Sequence, residues 1–267
     1  MNISENLKLS IEASLRAGEV IMEIYNGEDF AIEIKDNNSP LTKADKAAHE
    51  IIKSHLSVSN YPILSEEGAQ IPYNERKTWN LFWMVDPIDG TKEFIKRNGE
   101  FTVNIALIKD QRPVLGVVYT PVLKHLYFAE EGFGSFKVEN ISILDDLNSN
   151  NFIDLKKTTP PDIYTLVVSK SHMNLETQEY VNEKEKEYGT IKMASFGSSL
   201  KICKVAEGSA NCYPRFGPTM EWDTAAAHAI AFIANCIVTK TDLITPLIYN
   251  KEDLLNPYFI IQENGHS

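Results

Sequence analysis

The chain has 267 residues, of which 43% are hydrophobic and 24% charged, so it can bury the core of one large domain or of two ordinary ones. The formal net charge of -11 argues against a nucleic-acid polymer or an anionic membrane as partner, because such partners require a basic face. No apolar run approaches the roughly 18 residues of a membrane span, and charges recur through residues 1–27, so neither a spanning helix nor a secretory signal is predicted.

The cysteines are too few and too scattered for a disulfide framework or a C-x-x-C site. They stand at Cys203, Cys212 and Cys236. Thiols that stay reduced are typical of the cytoplasm. We therefore predict a cytoplasmic protein, with peripheral attachment at the inner membrane as the alternative, and the sequence leaves the oligomeric state open.

The first half of the chain predicts two helices and an antiparallel sheet. Apolar residues recur at helical spacing over residues 3–26 and stop at Gly27, which predicts the first helix. A short strand is predicted over 30–34, and Thr42-Lys43-Ala44-Asp45 begins a second helix. Apolar and polar residues then alternate in stretches that predict an antiparallel meander, at 101–107, 113–119, 125–129 and 135–138.

Two short apolar strands in this half end in carboxylates. Residues 62–65 lead into Glu66, and residues 81–85 lead into Asp86. If the two strands are neighbours, Glu66 and Asp86 face each other. Such a pair is unfavourable unless a proton or a cation lies between its members.

The second of these strands is followed by a predicted strand-to-helix corner, Asp86-Pro87-Ile88-Asp89-Gly90-Thr91. Pro87 has no N–H and is expected to end the strand, and Gly90-Thr91 is expected to open a helix. Free amides at a helix start favour anions, so carboxylates beside them make sense if a cation and a phosphate share the site. Hard carboxylate oxygens suit Mg²⁺ better than a soft metal.

Each carboxylate also has an ordinary structural interpretation. Asp86 and Asp89 are common residues at turns and helix caps, and Asp45 fits a capping box with Thr42. Glu66 fits an exposed acidic turn. In the second half, Asp223 of Glu221-Trp222-Asp223 is typical of a helix N-cap. Taken one at a time, these residues leave both interpretations open.

The second half has a different pattern, in which strands alternate with helices. A polar stretch over residues 145–162 predicts the boundary between a domain at 1–145 and a domain at 162–267. Strands are predicted at 164–169, 190–194, 211–213 and 236–239, and helices at 175–188, 198–207 and 223–235. The alternation predicts an α/β layer.

Three separated motifs decide between the interpretations when they are taken together: Ser65-Glu66-Glu67, Asp86-Pro87-Ile88-Asp89-Gly90-Thr91 and Glu221-Trp222-Asp223-Thr224-Ala225-Ala226. With supporting stretches at 38–42, 90–108 and 213–219, they resemble the inositol monophosphatase superfamily, and within it the bacterial 3'(2'),5'-bisphosphate nucleotidases. The resemblance spans nearly the whole chain. It departs from the family pattern at Met220 and Ala227, where a small or polar residue and a glycine are expected, and the linker at 141–162 carries no family pattern.

The resemblance implies a mixed α+β and α/β fold, a layered αβαβα sugar-phosphatase-type sandwich of two subdomains. It also implies two or three Mg²⁺ ions. One ion would be held by Glu66, Asp86 and the carbonyl of Ile88, and a second by Asp86, Asp89 and Asp223. Asp45 with Thr91, and Glu66, would be catalytic, orienting and deprotonating a metal-activated water that attacks without a covalent intermediate.

The implied reaction is removal of the 3'-phosphate of adenosine 3',5'-bisphosphate, giving AMP and phosphate, with sensitivity to lithium and a role in sulfur metabolism. The amides of Gly90 and Thr91 would hold the phosphate, beside the ligands Glu66, Ile88, Asp89 and Asp223. Nucleotide contacts are expected from His172, Ser198, Lys201 and Arg215, although a lone Lys or Arg at a helix start is more often solvated surface.

Alternative functions remain open at this point. Inositol monophosphate and fructose bisphosphate are the competing substrates within the superfamily. A haloacid-dehalogenase-type phosphatase would need D-x-D-G-T, whereas this chain has D-x-x-D-G-T with Pro87 between the carboxylates. A non-catalytic nucleotide or cation sensor would be expected to lack a motif carboxylate, and all of them are present.

Overall fold

Helices and sheets alternate in five layers through the part of the chain that the structure describes. The structure is a computed structural model and describes residues 3–27, 30, 32–34, 40–68, 70–148, 152–168 and 173–264. Its helices are α1 (Glu5–Tyr25), α2 (Lys43–Leu56), α3 (Tyr73–Arg76), α4 (Thr91–Ile95), α5 (Leu175–Tyr188), α6 (Leu200–Ala206) and α7 (Glu221–Ile233).

The described strands form three sheets, one of two strands and two larger ones. They are β1 (Glu33–Ile34), β2 (Pro40–Leu41), β3 (Ile63–Ser65), β4 (Leu81–Asp89), β5 (Thr102–Lys109), β6 (Arg112–Thr120), β7 (His125–Glu130), β8 (Gly134–Val138), β9 (Ile153–Asp154), β10 (Thr165–Val168), β11 (Lys192–Ser195), β12 (Cys212–Arg215), β13 (Ile237–Lys240) and β14 (Phe259–Gln262). The first large sheet has the order β3-β4-β5-β6-β7-β8-β9, and the second has the order β11-β10-β12-β14-β13.

The first large sheet confirms the predicted meander. Strands β5 to β8 cover the alternating stretches, and each pairs antiparallel with its sequence neighbour. Strands β3 and β4 are parallel neighbours, with Ser65 opposite Val85. Parallel strands end at the same edge of a sheet, so the chain delivers Glu66 and Asp86 to one place.

Strand β4 does not end at Pro87, and the prediction that it would is wrong. It continues to Asp89, with Asp86 opposite Asn104 and Asp89 opposite Thr102 of β5. The three-residue interval from Asp86 to Asp89 in β4 therefore lies opposite a two-residue interval in β5, which defines a β-bulge. A bulge tolerates Pro87 because the extra residue makes no hydrogen bond to the neighbouring strand. The bulge also turns Asp86 and Asp89 to the same face of the sheet, whereas residues three apart in a regular strand point to opposite faces.

The two faces of this sheet pack against different helices. On one face, Trp83, Val85 and Ile105 share a buried cluster with Ile11 of α1 and Ile52 of α2. The opposite face packs against α6 and α7, which also contact the second sheet. The far side of the second sheet packs on α5 through residues such as Val181. This order of layers confirms the predicted αβαβα sandwich.

Helix α7 lies unusually close to the first sheet. A Cβ built on Gly116 of β6 would lie 2.1 Å from the carbonyl oxygen of Ala226 and 2.8 Å from the Cβ of Ala229, so only glycine fits there. The alanines of α7 supply the small side chains that such an approach needs, and Ala227 is fully buried among them. This contact fixes the position of the helix that carries Asp223.

The second sheet departs from the predicted α/β pattern. Strands β10, β11 and β12 are parallel, as alternation with helices predicts. Strand β14, which sequence analysis did not predict, inserts antiparallel between β12 and β13. The sheet is therefore mixed, and the domain boundary at residues 145–162 stays a prediction. None of the helices described is long and apolar enough to cross a membrane.

Candidate active site

Carboxylates from three elements meet at the edge of the first sheet. Glu66 follows β3, Asp86 lies in β4 and Asp223 lies in the first turn of α7. One carboxylate oxygen from each lies within 4.8 Å of the others. The structure thus brings together three of the proposed metal ligands from distant points of the chain.

Burial and mutual repulsion disfavour the charged forms of these groups. Burial raises the pKa of Asp86 well above its ordinary value, and the charges of Glu66, Asp89 and Asp223 raise it further. The pKa of Asp223 is also raised well above its ordinary value, first by burial and then by the charge of Asp89. A divalent cation among these oxygens would offset the repulsion and favour the ionised forms.

Asp89 borders the same space from the end of β4 and lines the same cavity as the other three carboxylates. Its pKa is raised by burial, while the charge of Lys201 and a hydrogen bond from Ser199 oppose that shift. The hydroxyl of Ser199 donates to Asp89 Oδ2 at 2.9 Å. Ile88, whose carbonyl is also proposed as a ligand, lines this cavity too.

Asp45 combines its structural and its proposed catalytic role. Its Oδ2 accepts from the backbone N–H of Thr42 at 2.8 Å and from the Thr42 hydroxyl at 2.6 Å, which completes the capping box of α2. Its Oδ1 accepts from the hydroxyl of Thr91 at 3.2 Å. The cap therefore aims the second oxygen of Asp45 at Thr91, next to Asp89 and Gly90.

The corner between β4 and α4 depends on Gly90. This residue has φ +96°, a left-handed conformation, and a Cβ there would lie 2.4 Å from the hydroxyl oxygen of Ser198. The Ser198 hydroxyl in turn lies 2.8 Å from the carbonyl of Asp89 and 2.6 Å from the carbonyl of Glu100. Because glycine has no side chain of its own, the backbone of Gly90 itself forms part of the cavity wall.

Two adjoining cavities, of about 430 and 490 Å³, open above these residues and share Asp89, Arg215 and Asp223 in their walls. Lys201 lines the first cavity, and its pKa is lowered to about 8 by burial even though the charge of Asp89 opposes the shift. Ser198, another proposed nucleotide contact, lines the same cavity. The remaining one, His172, lies outside the described residues.

Comparison with known proteins confirms the family resemblance that the three motifs indicated. The sequence pattern of the inositol monophosphatase family matches residues 2–264. The chain belongs to the inositol monophosphatase family. It is 46% identical over 250 residues to the 3'(2'),5'-bisphosphate nucleotidase CysQ of Salmonella typhimurium, covering 91% of this chain and 94% of that protein. The corresponding protein of Escherichia coli K12 is 44% identical over 247 residues, with the same coverage.

Solved structures of the inositol monophosphatase family share the fold. CysQ from Bacteroides thetaiotaomicron superposes with a TM-score of 0.89 at 47% identity, covering 98% of both chains. The extragenic suppressor protein suhB of Bartonella henselae superposes with a TM-score of 0.74 at 22% identity, covering 98% of this chain and 94% of that one. The second likeness concerns the fold alone.

The family motif around Asp223 is held by an ion pair between a buried carboxylate and a half-buried lysine, which sequence analysis did not predict. Glu221 is fully buried, accepts from the N–H groups of Asn250 at 2.5 Å and of Lys251 at 3.0 Å, and pairs with the Lys251 ammonium. Arg76 of α3 holds the same loop, donating to Asn250 Oδ1 at 3.0 Å. The start of α7 is therefore anchored to both halves of the chain.

Sequence analysis also missed two buried polar residues, Ser199 and Asn104. Ser199 gave no signal beyond its place in Gly197-Ser198-Ser199. Asn104 gave none either, because a polar residue between the apolar Val103 and Ile105 is what alternation predicts for a solvated face, and only the structure shows that β5 is buried on both faces. The two departures from the family pattern lie beside Asp223, where Met220 lines the cavity and Ala227 packs in the core.

Proposed function

We propose that this chain is a Mg²⁺-dependent 3'(2'),5'-bisphosphate nucleotidase that hydrolyses the 3'-phosphate of adenosine 3',5'-bisphosphate to AMP and phosphate. The observation that carries the proposal is the convergence of Glu66, Asp86 and Asp223 within 4.8 Å, at a cavity whose wall includes Arg215. The nucleotidase activity named for relatives at 44–46% identity supports the choice of substrate within the family.

The donor set fits Mg²⁺. It consists of carboxylate oxygens, with Asp89 and the Ile88 carbonyl beside them, and the described residues of this group include no thiol or imidazole. Burial, and after it the charges of Glu66, Asp89 and Asp223, raise the pKa of Asp86, and a divalent cation at this place would favour its ionised form. When bound, Mg²⁺ supplies Lewis-acid neutralisation of the phosphate ester and of the leaving oxygen.

Asp45 and Thr91 are suited to move a proton at this site. The Thr91 hydroxyl donates to Asp45 Oδ1, so its oxygen can accept a proton from a water while its own proton passes to the carboxylate. The two hydrogen bonds from Thr42 hold Asp45 in place during the transfer. Water is then the nucleophile, and no covalent phospho-enzyme forms.

Two cationic side chains at the cavity are suited to bind a second phosphate group. Lys201 and Arg215 line the cavity that adjoins the carboxylates. The charge of Lys201 interacts with Asp89, and the charge of Arg215 interacts with Asp223. A bisphosphate nucleotide places one phosphate at the carboxylate cluster, where a divalent cation is required, and leaves the other for these cations. An inositol monophosphate has no second phosphate to use them.

The test compares phosphate release from adenosine 3',5'-bisphosphate, inositol monophosphate and fructose 1,6-bisphosphate, each with Mg²⁺ and with EDTA. We expect the nucleotide to have the highest kcat/KM, EDTA to abolish turnover, and lithium to inhibit it. Preference for inositol monophosphate by a wide margin would make the chain a sugar phosphatase. Absence of turnover on all three substrates, with Mg²⁺ still bound, would make it a sensor.

The covalent alternative has its own test. A haloacid-dehalogenase-type mechanism would leave a phospho-aspartate on Asp86 after acid quench of a single turnover. We expect none, because Asp86 is proposed as a metal ligand among Glu66, Asp89 and Asp223. The D-x-x-D spacing no longer argues against this mechanism, because the bulge in β4 turns Asp86 and Asp89 to the same face. A cytoplasmic location also stays a prediction, which cell fractionation checks.

A further inference from the structure

A chain of buried hydrogen bonds runs from β5 to the carboxylate of Asp89. Thr102 Oγ1 lies 3.0 Å from Asn104 Oδ1, Asn104 Nδ2 lies 2.9 Å from Ser199 Oγ, and Ser199 Oγ lies 2.9 Å from Asp89 Oδ2. Thr102, Asn104 and Ser199 are all exposed by 2% or less. Polar groups at this depth are costly unless each is hydrogen-bonded, so their arrangement is tightly constrained.

The charge at one end sets the direction of the whole chain. An ionised Asp89 and the backbone carbonyl of Asp223 can both only accept hydrogen bonds, so the Ser199 hydroxyl must direct its single proton toward these two oxygens. The lone pair of Ser199 then accepts from Asn104 Nδ2, and this orients the amide so that Asn104 Oδ1 accepts from the Thr102 hydroxyl. The donors of Thr102 and Asn104 therefore point along the chain toward Ser199, and the Ser199 proton points toward Asp89 and Asp223.

Ser199 also contacts the helix that carries another proposed ligand. Its Oγ lies 2.6 Å from the backbone carbonyl oxygen of Asp223, so its single proton lies between that oxygen and Asp89 Oδ2. Asp89 belongs to the bulge of β4, and Asp223 belongs to the first turn of α7. One hydroxyl thus links ligands from two layers of the sandwich.

We propose that Ser199 is a positioning residue that, held by Asn104 and Thr102, sets the separation and orientation of Asp89 and Asp223 and thereby the affinity of the site for a divalent cation. The inference rests on the proposed function, since it assigns a role at the same cation site. Partners of metal-ligating carboxylates hold those ligands in place, and losing one typically weakens metal binding by roughly 10- to 100-fold.

The first test measures Mg²⁺ binding by titration calorimetry, and Mn²⁺ binding by electron paramagnetic resonance, in the absence of nucleotide. We expect Ser199→Ala to weaken binding by about 10-fold and Ser199→Thr, which keeps the hydroxyl, to stay within about 3-fold of the wild type. The matched control is Ser135→Ala. Ser135 is also fully buried and also donates to a carbonyl of α7, but at Ile230 near the other end of the helix, 2.9 Å away.

A second variant tests the chain at a distance from the carboxylate. Thr102→Val removes the hydroxyl that orients Asn104, and we expect about 3-fold weaker Mg²⁺ binding. The control is Thr239→Val, a buried threonine of β13 whose hydroxyl has no hydrogen-bond partner among the described residues. If Ser199→Ala fails to fold, the pair Thr102→Val and Thr239→Val carries the test alone.

Kinetics separate positioning from a general loss of structure. In Ser199→Ala, saturating Mg²⁺ is expected to restore kcat to within about 5-fold of the wild type, with the main change in the Mg²⁺ concentration required. Wild-type Mg²⁺ affinity in both Ser199→Ala and Thr102→Val would overturn the inference. A wild-type protein that neither binds Mg²⁺ nor releases phosphate would instead overturn the proposed function.

Discussion

Single residues at this site serve the fold and the proposed chemistry together. Asp45 caps α2 with one oxygen and accepts from Thr91 with the other. Asp223 accepts from the N–H of Met220 at 2.8 Å, three residues before it, and points into the carboxylate cluster. A choice between a capping and a catalytic interpretation is therefore unnecessary, because a carboxylate has two oxygens and the helix start uses only part of their capacity.

We expect Asp45→Asn to lower kcat by roughly 10²- to 10⁴-fold, because the amide cannot take the proton from Thr91. Stability should change by less than about 1 kcal/mol, since an asparagine oxygen can still accept from Thr42. Phosphate release and urea unfolding measure the two effects. The control is Asp154→Asn. Asp154 also caps a short helical turn, and its Oδ1 accepts from the Lys156 N–H at 3.1 Å. Full activity in Asp45→Asn would exclude Asp45 as the base.

Gly90→Ala should destabilise the folded chain by about 2 kcal/mol or more, because the new Cβ combines a left-handed conformation with a close approach to the Ser198 hydroxyl. Gly132→Ala is the matched control. Gly132 also has positive φ, +81°, but a Cβ added there would meet nothing within 4 Å, so only the backbone cost of about 1 kcal/mol applies. Equal losses in urea unfolding would show that the contact with Ser198 is unimportant.

At the scale of elements, α7 organises the molecule because it packs between the two sheets and begins at the candidate active site. Its first turn is fixed by Glu221 and the Lys251 loop, and its middle lies against Gly116. A buried polar contact holds its C-terminal half, where His228 Nδ1 lies 2.8 Å from the hydroxyl of Tyr249. Together these contacts hold the helix that carries Asp223.

His228 makes the stability of α7 dependent on pH. Burial lowers its pKa to about 3, whereas an unfolded histidine titrates near 6.5. As the pH falls below about 6.5, the unfolded chain binds a proton that the folded chain does not, so the free energy of unfolding falls. We expect His228 to account for about 2 kcal/mol of the loss between pH 7 and pH 5.

Urea unfolding of the wild type and of His228→Gln at pH 7, 6 and 5 measures this contribution. Glutamine does not titrate, so the variant should lose less stability on acidification than the wild type does. The stability difference between the two proteins should therefore narrow toward pH 5. Parallel pH dependence in both would show that His228 is not the group responsible.

At the scale of the whole molecule, the proposed cation site joins parts that are far apart in the chain. Glu66 and Asp86 come from the first sheet, and Asp223 comes from the helix between the sheets. The chain carries a net charge of -11, and its carboxylate cluster gathers acidic groups whose ionised forms are disfavoured by burial and by mutual repulsion. A bound cation should therefore stabilise the fold as a whole.

We expect Mg²⁺ at ten times its dissociation constant to stabilise the folded chain by about 1.4 kcal/mol and to raise Tm by roughly 2–4 °C. EDTA should reverse the rise, and Asp223→Asn should reduce it. NaCl at equal ionic strength controls for screening of the net charge. An identical rise with NaCl, or an undiminished rise in Asp223→Asn, would contradict a cation site at this place.

What the sequence determined by itself is mostly local. Hydrophobic periodicity and turn residues predict α1, α2 and α5 and the meander from β5 to β8, because side-chain spacing reflects the face that each element buries. Strands β3 and β4 could each be recognised as apolar runs that end in carboxylates. The motifs around Glu66, Asp86 and Asp223 were sufficient to indicate the family.

The tertiary structure decided the features that depend on pairing between distant segments. The bulge in β4 turns Asp86 and Asp89 to one face, and it becomes visible only in the register against β5. The insertion of β14 beside β12, and the contacts of Ser199, likewise join segments far apart in sequence. The spacing of apolar residues predicts which side of a helix or strand is buried. Which distant segment packs against that side depends on how the whole chain folds.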